Sequence, residues 1–515
     1  MHPSSNKEKN NGTYKVIAKN SFFIITSRVV EFGAGLLVLV LIANHFGVQD
    51  FGEFSFIRAV AFILSPLVAF GSLRIIVRDI SVAKERTSEI LIAGFALNLL
   101  MAIVVAAVLA GLVIILPAFG LKSTTQIASL YLAIIAETCL AMKNTVHAGF
   151  FAHEIAHFAA LTNIIGRLLV VASVVVVIWL RQNLVILFFA IAFANLAGVG
   201  ITLFVLKLTR IITSGSKRVI SNLVFLFKES FPIMIVVFMG QGYIYVNTFF
   251  LRFFHDNWHV AMFESSQRII IPLSMVSTSI LLAFVPTLSR MGRNIESHEE
   301  LLQVYRNTLK FFFLTTFPIC AIAAVAAKPI ILTIYNDDFS PAAKSLQILI
   351  WTMIPLFANS LLNFVLTSLY KQRLLLISNT LCFLVNAALS WALVKDFSYI
   401  GVSYAALIAN IVLFFINYHF VSVVLGRARL YSMTIIPGLV SLFFYYPAVA
   451  MITVTLNRIL WMVLFVIVYF FMLWGTRIIT VHEITSLLNF RKKKPLDAGT
   501  GSWPPKNDSC LPPKI

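Results

Sequence analysis

Acidic side chains are scarce in this sequence, with 21 Asp and Glu among 515 residues, and all charged residues together make up only 12%. Soluble domains carry about 25% charged residues, so a chain wholly exposed to water is excluded. Cysteine is equally sparse. Cys139, Cys320 and Cys382 lie inside apolar runs and Cys510 lies in the tail, with no paired spacing that would frame a disulfide scaffold or a zinc knuckle. Long polar stretches between the apolar runs are also missing, which leaves no room for a large extramembrane domain. A cleaved leader is not expected, because the first apolar run is long, contains Arg28 and Glu31, and lacks a small-x-small cleavage site.

What is present is 59% hydrophobic residues, gathered in runs of about 20, the length that crosses a bilayer as a helix. The runs place spans near 17–44, 55–77, 89–117, 125–149, 155–180, 183–206, 228–251, 260–287, 309–334, 345–370, 374–394, 399–423, 431–455 and 459–478. Backbone polar groups in hydrocarbon must be satisfied within the segment, and the alternation of a membrane barrel is absent. The expectation is therefore an all-α polytopic membrane protein of about fourteen spans. Residues 15–206 would form a first six-helix lobe, 207–227 a basic linker, 228–426 a second six-helix lobe and 427–480 two extra spans. Polar ends, 1–14 and 481–515, would be flexible.

The net charge of +19 admits nucleic acid, an anionic lipid surface or an anionic substrate as partner, and placement decides among them. Basic clusters fall on alternate connections: Arg78, Lys84 and Arg86; Lys207, Arg210, Lys217 and Arg218; Arg290, Arg293 and Arg306; Lys371 and Arg373; Arg427 and Arg429; and the run from Arg491 to Lys494. All lie on the side of the N-terminus. By the positive-inside rule both termini are expected in the cytoplasm, with loop bases meeting membrane lipid rather than nucleic acid.

Charges inside the spans need a separate account, because each costs roughly 2.5–3.5 kcal/mol at a helix centre on insertion scales. Arg28 and Glu31 fall in the first span, Arg58 and Arg74 in the second, Glu137 in the fourth, Arg167 in the fifth, and Glu264 and Arg268 in the eighth. Spans one and two thus correspond to seven and eight, and FGEFSFIR (Phe51 to Arg58) is weakly similar to VAMFESSQR (Val260 to Arg268). Repeated halves with polar residues at their interface are the pattern of alternating-access transporters. Arg28 with Glu31 and Glu264 with Arg268 also have the spacing of self-neutralising helical pairs. Arg58, Arg74 and Arg167 have no acid at such a spacing, so a cationic cavity is expected. A guanidinium forks onto phosphate oxygens, so the expected substrate carries phosphate, with Arg28, Arg58 and Arg268 as its main contacts and Arg74 and Arg167 beside them. Pro66, Pro232, Pro272, Pro318 and Pro355 offer places for the helices to bend.

His153 to His157 matches H-E-x-x-H, which on one helix binds zinc. The match lies at the start of the fifth span with no third ligand in sight, so no metal site is expected. Asp337 and Asp338 read as turn caps, and Tyr243, Tyr245, Trp258 and Trp351 as packing or interfacial aromatics.

Several stretches carry a family resemblance. ANHFGVQDFGEFSF (Ala43 to Phe56) resembles the short loop after the first span of polysaccharide flippases of the Wzx type, in the superfamily that includes lipid II flippases and MATE exporters. AFVPTLSR (Ala283 to Arg290), IYNDDFSPAAKSLQIL (Ile334 to Leu349) and NAALSWALVKDFSYIGVSYAALIAN (Asn386 to Asn410) are similar to its later segments, in order and spacing. The resemblance implies two six-helix lobes plus two helices. It also implies a non-enzymatic flippase that carries undecaprenyl-diphosphate-linked oligosaccharide repeat units, with glycan polymerases or glycosyltransferases as partners. Arg28, Arg58 and Arg268 resemble cavity arginines of the related flippases. Asn44 stands where many members have Arg, and Asn247 where many have Asp, leaving Glu31, Glu137 and Glu264 as candidates for binding a driving H⁺ or Na⁺; no other cofactor is implied. The rival readings are a multidrug or cation antiporter, which would want an acidic cavity, and a polytopic glycosyltransferase or polymerase, which would want a large outer loop.

Overall fold

The computed structural model describes residues 4–111, 123–211, 219–282, 298–369 and 371–428, with the isolated positions 437–439, 441, 468, 469 and 471. The two spans expected at 431–455 and 459–478, the AFVPTLSR segment, Lys217, Arg218, Arg290, Arg293 and the tail lie essentially outside the described residues. Among those described, the regular structure is entirely helical.

Helix α1 (Ser4–Ala69) holds the first two spans, separated at Gly47, whose φ of 78° and ψ of −177° break the helix. Only glycine takes that backbone at little cost. The helix already begins at Ser4, within the polar segment that precedes the first span. Past Ala69, Phe70 and Gly71 take positive φ values of 52° and 65°, and the chain re-enters helix as the short α2 (Leu73–Val82). This turn interrupts the apolar run of the second span, and α2 beyond it is amphipathic: it buries Ile75, Ile76 and Ile80 and leaves Arg74 and Arg78 exposed.

Four spans follow as α3 (Thr87–Gly111), α4 (Thr124–Ala152), α5 (Ala156–Trp179) and α6 (Leu184–Leu208). Sequence sets two of their starts: Ser123 and Gln126 form a reciprocal capping box on α4, and the Asn183 side chain caps α6 through the Ile186 N–H. The second half comprises α7 (Val219–Phe254), α8 (Asn257–Leu282), α9 (His298–Val325), α10 (Ala327–Ile334), α11 (Ala342–Leu349), α12 (Met353–Ser368) and α13 (Gln372–Val424). Helix α13 holds two spans separated at Ser398, with φ 50° and ψ −133°. Pro66, Pro232, Pro272 and Pro318 lie inside α1, α7, α8 and α9, and Pro355 in the first turn of α12.

Helices α1 and α3 to α6 pack on one another, as do α7 to α13, and the two groups meet chiefly where α1 lies against α7 and α8 and α3 against α7. Both ends of that junction are tied. At the end carrying the basic connections, Arg78 reaches Glu229 at 3.5 Å and Arg86 donates to Asn222 at 2.8 Å. At the opposite end Asn44 and the 334–336 strand of chain exchange three hydrogen bonds: Asn44 Nδ2 donates to the Ile334 carbonyl, and the Asn336 backbone N–H and Nδ2 donate to Asn44 Oδ1 and its carbonyl, at 3.1–3.2 Å. Beside them Phe51 is fully buried against Tyr335 and Phe339. Glu53 accepts from Gln126 and Asn257 at 2.8 and 3.4 Å. Gly52 packs so close to α8 that a Cβ there would lie 1.9 Å from the Asn257 carbonyl oxygen.

Candidate functional site

The intramembrane charges form two clusters, joined by a pair of stacked rings. In the first half, Glu31 of α1 accepts from Arg167 of α5 at 2.5 Å, from Arg28 at 3.4 Å and from Asn163 Nδ2 at 3.3 Å. Lys143 of α4, nearly buried, donates to Asn163 Oδ1 at 3.2 Å, and Gly166 leaves room for its ammonium. Glu31 is thus enclosed by donors from two helices, α1 and α5, with most of its hydrogen-bonding capacity taken.

Next to this network is a cavity of about 120 Å³ lined by Arg58, Glu137, Arg167 and Asn195 together with apolar residues of α1, α4, α5 and α6. Arg58 sits 4.8 Å above the Phe62 ring. It lies within electrostatic range of Glu137 and Arg167 on one side and of Tyr245 and Arg268 on the other. Glu137 differs from the other two acids: its charged neighbours are Arg58 and Arg167, yet no ion pair within 4.0 Å joins it to either among the described residues.

In the second half Arg268 and Glu264 of α8 are paired at 2.8 Å, their side chains 8% and 1% exposed, and Thr248 of α7 donates to the same carboxylate. Arg268 lies 5.8 Å from the centre of the Tyr245 ring. Phe62 and Tyr245 stack across the junction, 5.3 Å apart and 15° from parallel. The order in space is Arg58, Phe62, Tyr245, Arg268, so each half presents a guanidinium to the aromatic pair from its own side.

The structure places the expected contacts unequally. Arg58 and Arg268 approach each other, as the positions of the two repeat segments suggest. Arg28 lies apart from them, its side chain 65% exposed and paired with Glu31 at 3.4 Å. Arg167 belongs to the Glu31 network. Arg74 lies on the exposed face of α2, beyond the Phe70–Gly71 turn. Both self-neutralising pairs, Arg28 with Glu31 and Glu264 with Arg268, are present, so the arginines do not line one common vestibule: only Arg58 borders the cavity without a carboxylate partner of its own.

Lys143, Asn163, Thr248 and the Phe62–Tyr245 stack are what sequence reading missed. Lys143 had a usable signal, a lone ammonium within an apolar run; the hydroxyl, amide and rings had none. Asn247 accepts from Ser390 at 2.7 Å, a neutral, buried pair. The H-E-x-x-H residues do not share a helix. Helix α4 ends at Ala152, Glu154 has φ 61°, and α5 starts at Ala156, while His153 is hydrogen-bonded to Thr87 at 2.9 Å. Among the described residues no group of three or more His, Cys, Asp or Glu is placed to hold a metal.

Comparison with known proteins extends this geometry. Over 90% of this chain and 100% of the other, the structure is similar to lipid II flippase MurJ in an inward closed conformation, at TM-score 0.70 and 14% identity. It is also similar to an inward-facing multidrug resistance MATE transporter of the MOP superfamily (TM-score 0.62, 14% identity, 76% and 95% covered). A Vibrio cholerae MATE transporter gives TM-score 0.56 at 16% identity, with 81% and 98% covered. At these identities the likeness is one of fold. No curated protein sequence matches the chain. The MatE family model matches residues 232–392. The model described as polysaccharide biosynthesis protein matches residues 17–292, more than half of the 515 positions, and the chain belongs to that family.

Proposed function

We propose that the protein is a flippase that moves lipid-diphosphate-linked oligosaccharide repeat units from the cytoplasmic to the outer leaflet of a bacterial inner membrane by alternating access, without performing catalysis. The observation that carries this reading is the position of Arg58. It borders a cavity in the first half, faces Arg268 across two stacked rings, and has no carboxylate of its own. In a low-dielectric wall such a group needs an anion, and a diphosphate supplies several oxygens to a guanidinium fork. The family match supports a role in polysaccharide biosynthesis, and the fold is one on which flippases are built.

The carboxylates argue against a cation exporter. Glu31 is held by Arg167 and Arg28, and Glu264 by Arg268 and Thr248, so neither presents free negative charge to a cationic drug. Glu137 is the carboxylate best placed to couple transport to an ion gradient. It borders the cavity beside Arg58, and binding a proton or Na⁺ there would remove a negative charge that opposes the diphosphate at that guanidinium. Two ties at the basic end and the hydrogen-bonded clasp at the other would open in turn as the halves rock. By the positive-inside rule the basic end is cytoplasmic.

In a strain lacking the gene, lipid-linked repeat units should accumulate on the cytoplasmic leaflet, and Arg58→Ala should fail to clear them while being made at normal levels. Normal surface glycan in that strain would contradict the proposal.

A further inference from the structure

Both arginines that tie the halves together at the basic end line a single cavity of about 440 Å³. Arg78 and Asp79 of α2 and Arg86 of the turn at 84–86 border it from the first half, and Ser221 and Asn222 of α7 from the second. Two guanidiniums therefore face one carboxylate, and that carboxylate is already engaged, since Asp79 accepts from Arg78 Nε at 2.7 Å. The other ionic contacts of the two arginines are long. Arg78 reaches Glu229 at 3.5 Å and Arg86 reaches Glu89 at 3.7 Å, against roughly 2.7–2.9 Å for a close charge-assisted bond. Nη2 of Arg78 and Nη1 of Arg86 have no partner among the described residues. Asn222 adds a further donor. The residue is 8% exposed, its Oδ1 is given to Arg86, and its Nδ2 is buried with no acceptor.

We infer that this cavity binds a phosphate ester, and that the bound phosphate joins the two halves at the basic end. Spare donors come from both sides of the junction, the guanidiniums from the first half and the Asn222 amide from the second, and what they lack in common is an acceptor. A phosphate offers several oxygens to two guanidinium forks at once, and it would relieve the repulsion between Arg78 and Arg86 across the cavity. Ile90, Phe225 and Leu226 supply apolar wall, which strengthens the attraction. The volume leaves room beyond the phosphate for an organic group, which would meet the apolar rim at Val82, itself 85% exposed. A phospholipid headgroup and a soluble phosphate ester share this chemistry. Such a site is separate from Arg58 and independent of the flippase reading, needing only that the halves meet here. Filling it would hold the basic end closed.

The test uses the full-length protein purified in a maltoside detergent, with spin labels on cysteines at Ser81 of α2 and Ile220 of α7. Cys510 is replaced by Ser, and Cys139, Cys320 and Cys382 are buried. Electron–electron resonance then reads the distance across the basic end. Glycerol 3-phosphate or phosphatidylglycerol should at least double the fraction of molecules at the short distance. Chloride at the same ionic strength should not. A response to phosphatidylglycerol alone would identify the ligand as a lipid headgroup, and a response to both would admit a soluble ester. Arg78→Gln with Arg86→Gln should abolish the response. Because that pair also removes existing ties, Val82→Trp provides a second check: it fills the cavity from its exposed rim with both arginines in place, and should block the response as well. Lys371→Gln, which removes another base at the same end, should retain it. No response to either ester would overturn the inference, as would an equal response to chloride, which would reduce the effect to screening. An undiminished response in Val82→Trp would place the site elsewhere and overturn it too.

Discussion

Arg58 and Arg268 occupy similar segments of the two halves but have opposite energetics. Arg268 is closed off with Glu264, so removing either partner strands a buried charge, at a cost of about 3–5 kcal/mol. Arg268→Ala should therefore lower thermal stability in detergent markedly, and adding Glu264→Ala should recover much of the loss without restoring transport; equal melting temperatures for the single and double variants would contradict this pairing. Arg58 has no such partner, so Arg58→Ala should leave the melting temperature nearly unchanged while flux is lost. Glu137→Gln removes the ionisable group facing Arg58. Flux in this variant should no longer respond to an imposed proton or Na⁺ gradient, a property read by comparing proteoliposomes with and without the gradient. A charge in an apolar run stands out in a sequence, which is why Arg58, Arg268, Arg167 and the three glutamates were legible. Which of them were already neutralised was not, because Glu31 meets Arg167 and Asn163 across two helices more than 130 positions away. Thr248 and the Phe62–Tyr245 stack were hidden because rings and hydroxyls are common in any membrane helix.

Helix α1 shows how one residue shapes an element. Its two spans are joined without a loop, and the turn between them is made at Gly47. A Cβ there would meet nothing within 4 Å, so Gly47→Ala suffers only from the positive φ, at about 1–3 kcal/mol. Gly52→Ala, by contrast, would drive a methyl group into the Asn257 carbonyl and force α1 and α8 apart. The prediction is that Gly47→Ala lowers stability modestly with the outer clasp intact, whereas Gly52→Ala makes cysteines placed at Val48 and Asp256 more reactive to a membrane-impermeant maleimide. Unchanged labelling in Gly52→Ala would mean that the seam is not closed by this contact. Hydrophobic runs gave nearly every described span to within a few residues, since a bilayer sets helix length. At the second span the apolar run continues past the Phe70–Gly71 turn, which interrupts the helix, into Ile75, Ile76 and Ile80 of the amphipathic α2. They also could not show that the polar start of the chain is helical, because helix outside hydrocarbon needs no apolar signal.

Considered as a whole, the molecule consists of two helical groups tied at both ends of their junction, with the arginines between. The basic-end tie from Arg78 to Glu229 is half exposed on both sides and is worth at most about 1 kcal/mol. The three hydrogen bonds around Asn44 contribute roughly 0.5–1.5 kcal/mol each, and the aromatic packing of Phe51 adds to them. At the basic end the Arg86–Asn222 hydrogen bond and the stack of Phe70 on Phe227 act beside that tie, so both ends are held, and Asn336→Ala should shift the balance toward opening at the Asn44 end. The sequence carried the charge bias that orients the bundle but not these ties, since Asn44 meets a segment some 290 positions away. The central claim is that Arg58, whose guanidinium has no carboxylate of its own, holds an anionic lipid-linked headgroup. It is tested most directly by reconstituting the purified protein in proteoliposomes with an undecaprenyl-diphosphate-linked oligosaccharide and measuring how fast the sugar becomes accessible on the opposite leaflet. The account predicts rapid transfer by the wild type and at least a tenfold loss in Arg58→Ala at unchanged melting temperature; transfer by that variant at the wild-type rate would contradict it.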